Sequence, residues 1–200
     1  MWSNSQAMNI SRKLFFSGLV ILALGLNACS GLTKSDKPAM KTWWLEPYTE
    51  MTPANLTDPV LLNVSVTVVP GLDTDRILTL SDKAELNHFS GASWADDLPE
   101  LLTSLSVRSL ESSGRFEAVS ALELCHLDLE IQEFFAQLDS SGQANAVRIA
   151  VAVQYQCEEA DSVPLRLNAS ISVHDNRMSE IVAAFQQALD NVMRDLLRKL

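Results

Sequence analysis

A chain of 200 residues with 15 basic against 25 acidic side chains carries a formal net charge of −10 at pH 7. So acidic a surface repels nucleic acid and anionic lipid alike, which excludes nucleic-acid binding and tight electrostatic adhesion to such lipid. The length suffices for one domain with a real core.

The N-terminus reads as an export signal. Arg12-Lys13 precedes an apolar run from Leu14 to Leu26, which closes in Leu26-Asn27-Ala28-Cys29. A charged region, a greasy region, a small residue and a cysteine, in that order, form a bacterial lipoprotein signal. The run is shorter than the ~20 apolar residues that cross a bilayer. Cleavage before Cys29 and acylation of its thiol would replace the helix with lipid chains, each buried methylene worth about 0.8 kcal/mol. Residues 1–28 are thus a signal peptide, and residues 29–41 a lipidated cysteine and polar tether. Residues 42–200 form a single domain. Removing Arg12 and Lys13 leaves 13 basic against 25 acidic residues, so the exported part is the more acidic.

Thr42-Trp43-Trp44-Leu45 is an aromatic first strand, followed by a loop holding Pro53 and Pro59. From Leu62 to Val68 apolar and polar residues alternate, which predicts a half-buried strand stopped by Pro70-Gly71. Arg76–Leu80 and Ala84–His88 are short strand candidates. The period then changes. Trp94, Leu98, Leu101, Leu102, Leu105 and Leu110 recur at helical spacing, with Ser93 as a candidate cap. Pro99 favours a start at Leu98, with Trp94 in an introductory turn. Phe116–Val119 is a short strand or connector.

Leu127, Leu129 and Ile131 alternate with polar residues, as do Val147 through Tyr155 beyond Ser140-Ser141-Gly142. This predicts a long antiparallel hairpin centred near Ser141, with Leu127 opposite Tyr155, Leu129 opposite Val153 and Ile131 opposite Val151. The same register sets Cys125 opposite Cys157 on the core face, at a distance a disulfide bridges. Alternation breaks at Phe134-Phe135, where a bulge is expected. Leu165–Val173 alternates again. Ser179 is a candidate cap for a last amphipathic helix over Glu180–Leu197, with Arg194, Arg198 and Lys199 at its C-terminal end. Strands, helix, three long strands and helix predict an α+β two-layer sandwich, a mainly antiparallel sheet with both helices on one face.

Catalytic patterns are missing. There is no nucleophile elbow, no phosphate-binding glycine loop and no paired metal-ligand motif. His88, His126 and His174 are scattered, and the cysteines lack redox spacing. The acidic pairs Asp96-Asp97 and Glu158-Glu159 read as a helix start and a solvated turn. No catalytic and no metal residues are assigned. Trp43, Trp44 and Trp94 are core by default, but one of the adjacent pair must face away from the other. That makes the three the candidates for partner contact.

The chain resembles a family. A lipobox is followed by Trp43-Trp44-Leu45-Glu46-Pro47, then by an apolar strand running into Pro70-Gly71-Leu72-Asp73 with Arg76-Ile77, then by Trp94-Ala95-Asp96-Asp97-Leu98. This order is similar to the ABC-type transport auxiliary lipoproteins, of the PqiC-like kind, although Asp97 stands where that family has proline. The resemblance implies a non-enzymatic lipoprotein at the periplasmic face of the outer membrane. Ser30 after the cysteine fits that address by likeness to enterobacterial lipoproteins. It would dock an MCE-domain membrane protein and its ABC and permease components in lipid transport, supporting envelope integrity. Homo-oligomerisation fits the ring form of MCE proteins. The only attached groups expected are the diacylglycerol and N-acyl chain on Cys29. The alternative is a periplasmic carrier that itself holds an acyl chain between sheet and helices.

Overall fold

The structure, a computed structural model, describes residues 39–50, 58–120, 125–157 and 162–200. The signal, Cys29, most of the tether and Glu158-Glu159 lie outside the described residues. In chain order the elements are β1 (Lys41–Trp43), β2 (Val60–Val68), β3 (Arg76–Leu80), β4 (Leu86–Trp94), α1 (Leu98–Ser112), β5 (Phe116–Ala118), β6 (Cys125–Leu138), β7 (Ala144–Gln156), β8 (Val163–Ser172) and α2 (Met178–Lys199).

Strand β6 organises the sheet. Along one edge it pairs antiparallel with β7, and β7 pairs antiparallel with β8. Along its other edge it changes partner. Cys125 to Ile131 pair in parallel with Leu62 to Val68, and Ala136-Gln137 pair in parallel with Thr79-Leu80. Beyond this fork β2 holds β5, while β3 holds β4 and β4 holds β1. The eight-stranded sheet is therefore mixed. The hairpins are antiparallel, as alternation implied. The parallel pairs β1·β4, β2·β5, β2·β6 and β3·β6 mean that the expected antiparallel arrangement holds only in part. Alternation marks one buried face and carries no strand direction, so these long-range pairings had no local signature.

The hairpin register matches the sequence pattern. Leu127 opposes Tyr155, Leu129 opposes Val153 and Ile131 opposes Val151. The bulge falls between Ile131 and Glu133, two residues earlier than expected. It switches the core face of β6 from odd to even positions. Ile131 and Phe134 are both buried for that reason. The bulge lies where β6 leaves β2 and approaches β3, so it bends the strand at the fork. At the turn, Gly142 takes a φ of 80°, open to glycine at little cost. Asp139 Oδ1 accepts from the Ser141 N–H at 2.8 Å, the Gln143 N–H at 3.0 Å and the Ser141 hydroxyl at 2.6 Å. The Ser141 hydroxyl, followed by the Gln143 N–H, holds the Asp139 carboxyl below its ordinary pKa of 3.8.

Both helices cover the same face. Leu102 of α1 and Leu189, Val192 and Met193 of α2 meet Ile131, Phe134 and Leu167 of the sheet around one point. α1 starts at Leu98 as the proline required, but its N-cap is Asp97. Ser93 and Trp94 instead end β4, because β4 continues through Gly91. α2 begins at Met178, two residues before the Glu180 start that a Ser179 cap sets, with Arg177 at its N-cap. Its far end is tied by Arg115, whose Nη1 donates to the Leu197 carbonyl at 2.6 Å.

Candidate docking site

Immediately after β1 the chain leaves the sheet and crosses the helix layer. Leu45 is fully buried and plugs that layer. Gln186 of α2 grips the backbone of Glu46 at two points. Its Oε1 accepts from the Glu46 N–H at 2.8 Å, and its Nε2 donates to the Glu46 carbonyl at 2.9 Å. Two residues on, α1 takes over. The Tyr48 N–H donates to Ser109 Oγ at 2.9 Å, and Ser112 Oγ donates to the Tyr48 carbonyl at 3.0 Å. Arg194 of α2 lies 5.5 Å over the Tyr48 ring. Residues 44–48 thus form a strap fastened to both helices.

Trp44 stands on this strap at 56% exposure. Its neighbours leave it little choice. Trp43 belongs to β1 and Leu45 is the plug, so the side chain between them points outward. Complete burial of a large apolar side chain stabilises by about 2–3 kcal/mol, and Trp44 forgoes most of that. A rigidly held, exposed tryptophan is the common anchor of a protein interface. Met40, 48% exposed, precedes β1 on the same end of the chain.

The other two candidates behave differently. Trp43 is half-buried, and its Nε1 is enclosed without an acceptor among the described residues. Trp94 is 2% exposed. Its ring meets Phe185 edge-on at 5.2 Å and Phe134 at 5.9 Å, while those two stack at 5.0 Å. Trp94 is therefore a core residue, and its assignment to partner contact is corrected here. Register explains it: Trp43 and Trp94 sit side by side on β1 and β4, and the bulge delivers Phe134 to the same centre. Gln186, Ser109 and Ser112, which fix the strap, carried no signal in the sequence. They are ordinary polar residues on amphipathic helices, and their partners lie 61 to 140 positions away.

Two further features bear on function. The apolar space between sheet and helices has a volume of about 20 Å³. That is room for about one water-sized sphere, whereas small-molecule sites run to some hundreds of Å³. Among the described residues no three His, Cys, Asp or Glu side chains gather where they could hold a metal ion. Cys125 and Cys157, with Cα atoms 4.0 Å apart, are joined by a disulfide across the open end of the β6–β7 hairpin. Both are half-buried, and the Tyr155 hydroxyl lies 2.8 Å from Cys157 Sγ.

Residues 45–196 match the model of the family described as ABC-type transport auxiliary lipoprotein component. The chain belongs to that family. The matched stretch begins at the Leu45 plug, one residue past Trp44, and ends at Leu196 in the last turn of α2, so it takes in the strap from Leu45 onward and nearly all of both helices. Solved structures share the fold. Protein XCC0632 from Xanthomonas campestris, described as a member of family DUF330, superposes with a TM-score of 0.67 at 22% identity, covering 78% of this chain and 92% of its own. An uncharacterized protein superposes with a TM-score of 0.63 at 16% identity, covering 80% of this chain and 98% of its own. No curated protein matches the chain. Membership makes it an auxiliary component of a transport system, associated with an ABC transporter and with the cell envelope.

Proposed function

We propose that this family member is a non-catalytic docking subunit, held by lipid on Cys29 at the periplasmic face of the outer membrane. Its partner is an MCE-domain membrane protein with its ABC and permease components, and its work is lipid transport in support of envelope integrity. The observation that carries this reading is Trp44. The strap fixes it outside a filled core, which is costly for the free protein and productive for a bound one. Anchoring one partner at the boundary where the other ends raises their effective concentration, so a modest contact suffices. A carrier that swallows an acyl chain needs far more space between the layers than the 20 Å³ found there among the described residues. The experiment is affinity capture of the tagged protein from solubilised envelopes, run beside Trp44→Ala and Cys29→Ala forms. Co-purification of the transporter with the wild-type protein and its loss with Trp44→Ala is the expected result. Retention of the transporter by Trp44→Ala, or capture of none by the wild type, would overturn the reading. Cys29→Ala is expected to leave the domain folded and to abolish activity in cells.

A further inference from the structure

Both helices cover one face of the sheet, and among the described residues no helix covers the opposite face of β6, β7 and β8. Three rows of opposed side chains cross it: Glu130–Ala152–Arg166, Glu133–Ala150–Asn168 and Phe135–Arg148–Ser170. In two of these rows the middle strand contributes only a methyl group. Alanine is a poor choice for a solvated strand position, where larger side chains pack on their neighbours. Its use here leaves a floor between two taller banks. The result is a concave groove of about 500 Å³, within the usual range of ligand sites, about 300–1,000 Å³.

The banks differ in charge. The β6 bank carries Glu133 in the groove's lining and, beyond that lining, Glu130 opposite Arg166 across Ala152. The β8 bank carries Arg166, Asn168 and Ser170, side chains that can all donate hydrogen bonds. The banks are two strand spacings apart, about 10 Å between backbones. Arg148 closes one end and is already committed. It donates to both oxygens of Glu133 at 3.0 Å and lies 6.0 Å over the Phe135 ring. Arg166 forms no ion pair among the described residues. Glu130 accepts only from its near neighbour Gln132, at 2.9 Å, among the hydrogen bonds described.

Charge decides what fits. A simple anion at Arg166 faces the Glu130 carboxylate across Ala152, Glu133 being already paired with Arg148. A simple cation at Glu130 faces Arg166. A ligand with both charges, aligned across the strands, satisfies both banks. The guanidinium fork, a side-chain amide and a hydroxyl on one bank match the several acceptor oxygens of a phosphate. We propose that this groove binds a small zwitterion pairing a phosphate with an amine, the chemistry of a phosphoethanolamine headgroup, with the phosphate on Arg166 and the amine toward Glu130. The site is argued from the sheet alone. A failed binding test leaves the docking reading intact, and a failed capture experiment leaves this one intact.

The test is titration of the isotope-labelled protein with glycerophosphoethanolamine and, separately, inorganic phosphate, followed by amide NMR shifts. Saturable shifts confined to residues around Ala150, Arg166 and Asn168 are expected. Binding is expected to weaken at least tenfold with Arg166→Glu and with Ala150→Trp, which fills the floor. Arg166→Gln, closer in size and uncharged, is the reserve should the charge reversal misfold, and the same loss is expected. Inorganic phosphate is expected to bind at least tenfold more weakly. Vesicles with and without phosphatidylethanolamine then identify the source. Arg166-dependent association with the former alone places the headgroup in a bilayer, while binding of the soluble headgroup alone places it in free solution; either supports the groove. Absence of saturable shifts there, equal binding of inorganic phosphate, or indifference to the Arg166 and Ala150 variants overturns it.

Discussion

The side-chain amide of Gln186 spans the backbone of Glu46 as a neighbouring strand would, accepting from its N–H and donating to its carbonyl. Through that pair α2 holds the strap, and the strap holds Trp44 in solvent. Each neutral hydrogen bond contributes a net 0.5–1.5 kcal/mol, so Gln186→Ala is expected to cost about 2 kcal/mol. Urea denaturation measures it as a lower midpoint at unchanged slope. The indole fluorescence should become more accessible to a quencher as the strap loosens. A midpoint unchanged from wild type would show that the clamp carries no energy.

Trp44 and Trp94 are expected to separate cleanly. Trp44→Ala removes an exposed ring and should shift stability by about 0.5 kcal/mol or less, while abolishing transporter capture. Trp94→Ala empties the centre of the aromatic trio and should cost about 3–5 kcal/mol. Thermal denaturation of the two variants, side by side, checks this ordering.

Cys125 and Cys157 are 32 positions apart in sequence. Joining them restricts the unfolded chain, and for a loop of that size the gain is about 3–4 kcal/mol. Non-reduced protein, unfolded in denaturant, should show neither thiol to a thiol reagent, and mild reduction should lower the melting temperature. Two reactive thiols before reduction would count against the bridge.

The Asp139 turn makes a pH-dependent contribution. Its carboxyl titrates below its ordinary value because the Ser141 hydroxyl and then the Gln143 N–H favour the charged form. A depressed folded-state pKa stabilises fully above the unfolded value and fades as pH falls through the folded one. Asp139→Asn should therefore melt below wild type at pH 7, and the gap should close on acidification below about pH 4. A gap that widens in acid would contradict the sign.

The strands, both helices and the register from Leu127 to Ile131 could be read from the chain, because each rests on short-range periodicity. A period of two marks a buried strand face, a period near four marks a buried helix face, and a glycine turn sets the pairing between adjacent strands. Family membership could be read in the order of its motifs. Boundaries were less secure. Ser93 and Ser179 have the right chemistry for caps, yet β4 runs on through Trp94, and α2 starts at Met178.

Tertiary structure decided the rest. Three tryptophans of identical chemistry became a half-buried edge residue, an exposed anchor and a core ring. The difference came from what packed against each: β4 beside Trp43, the Leu45 plug beside Trp44, and Phe134 with Phe185 around Trp94. The parallel pairings at the fork, the clamp on Glu46 and the two-banked groove join residues far apart in sequence. Such contacts depend on which elements meet, and side-chain burial patterns along a single strand or helix carry no record of that choice.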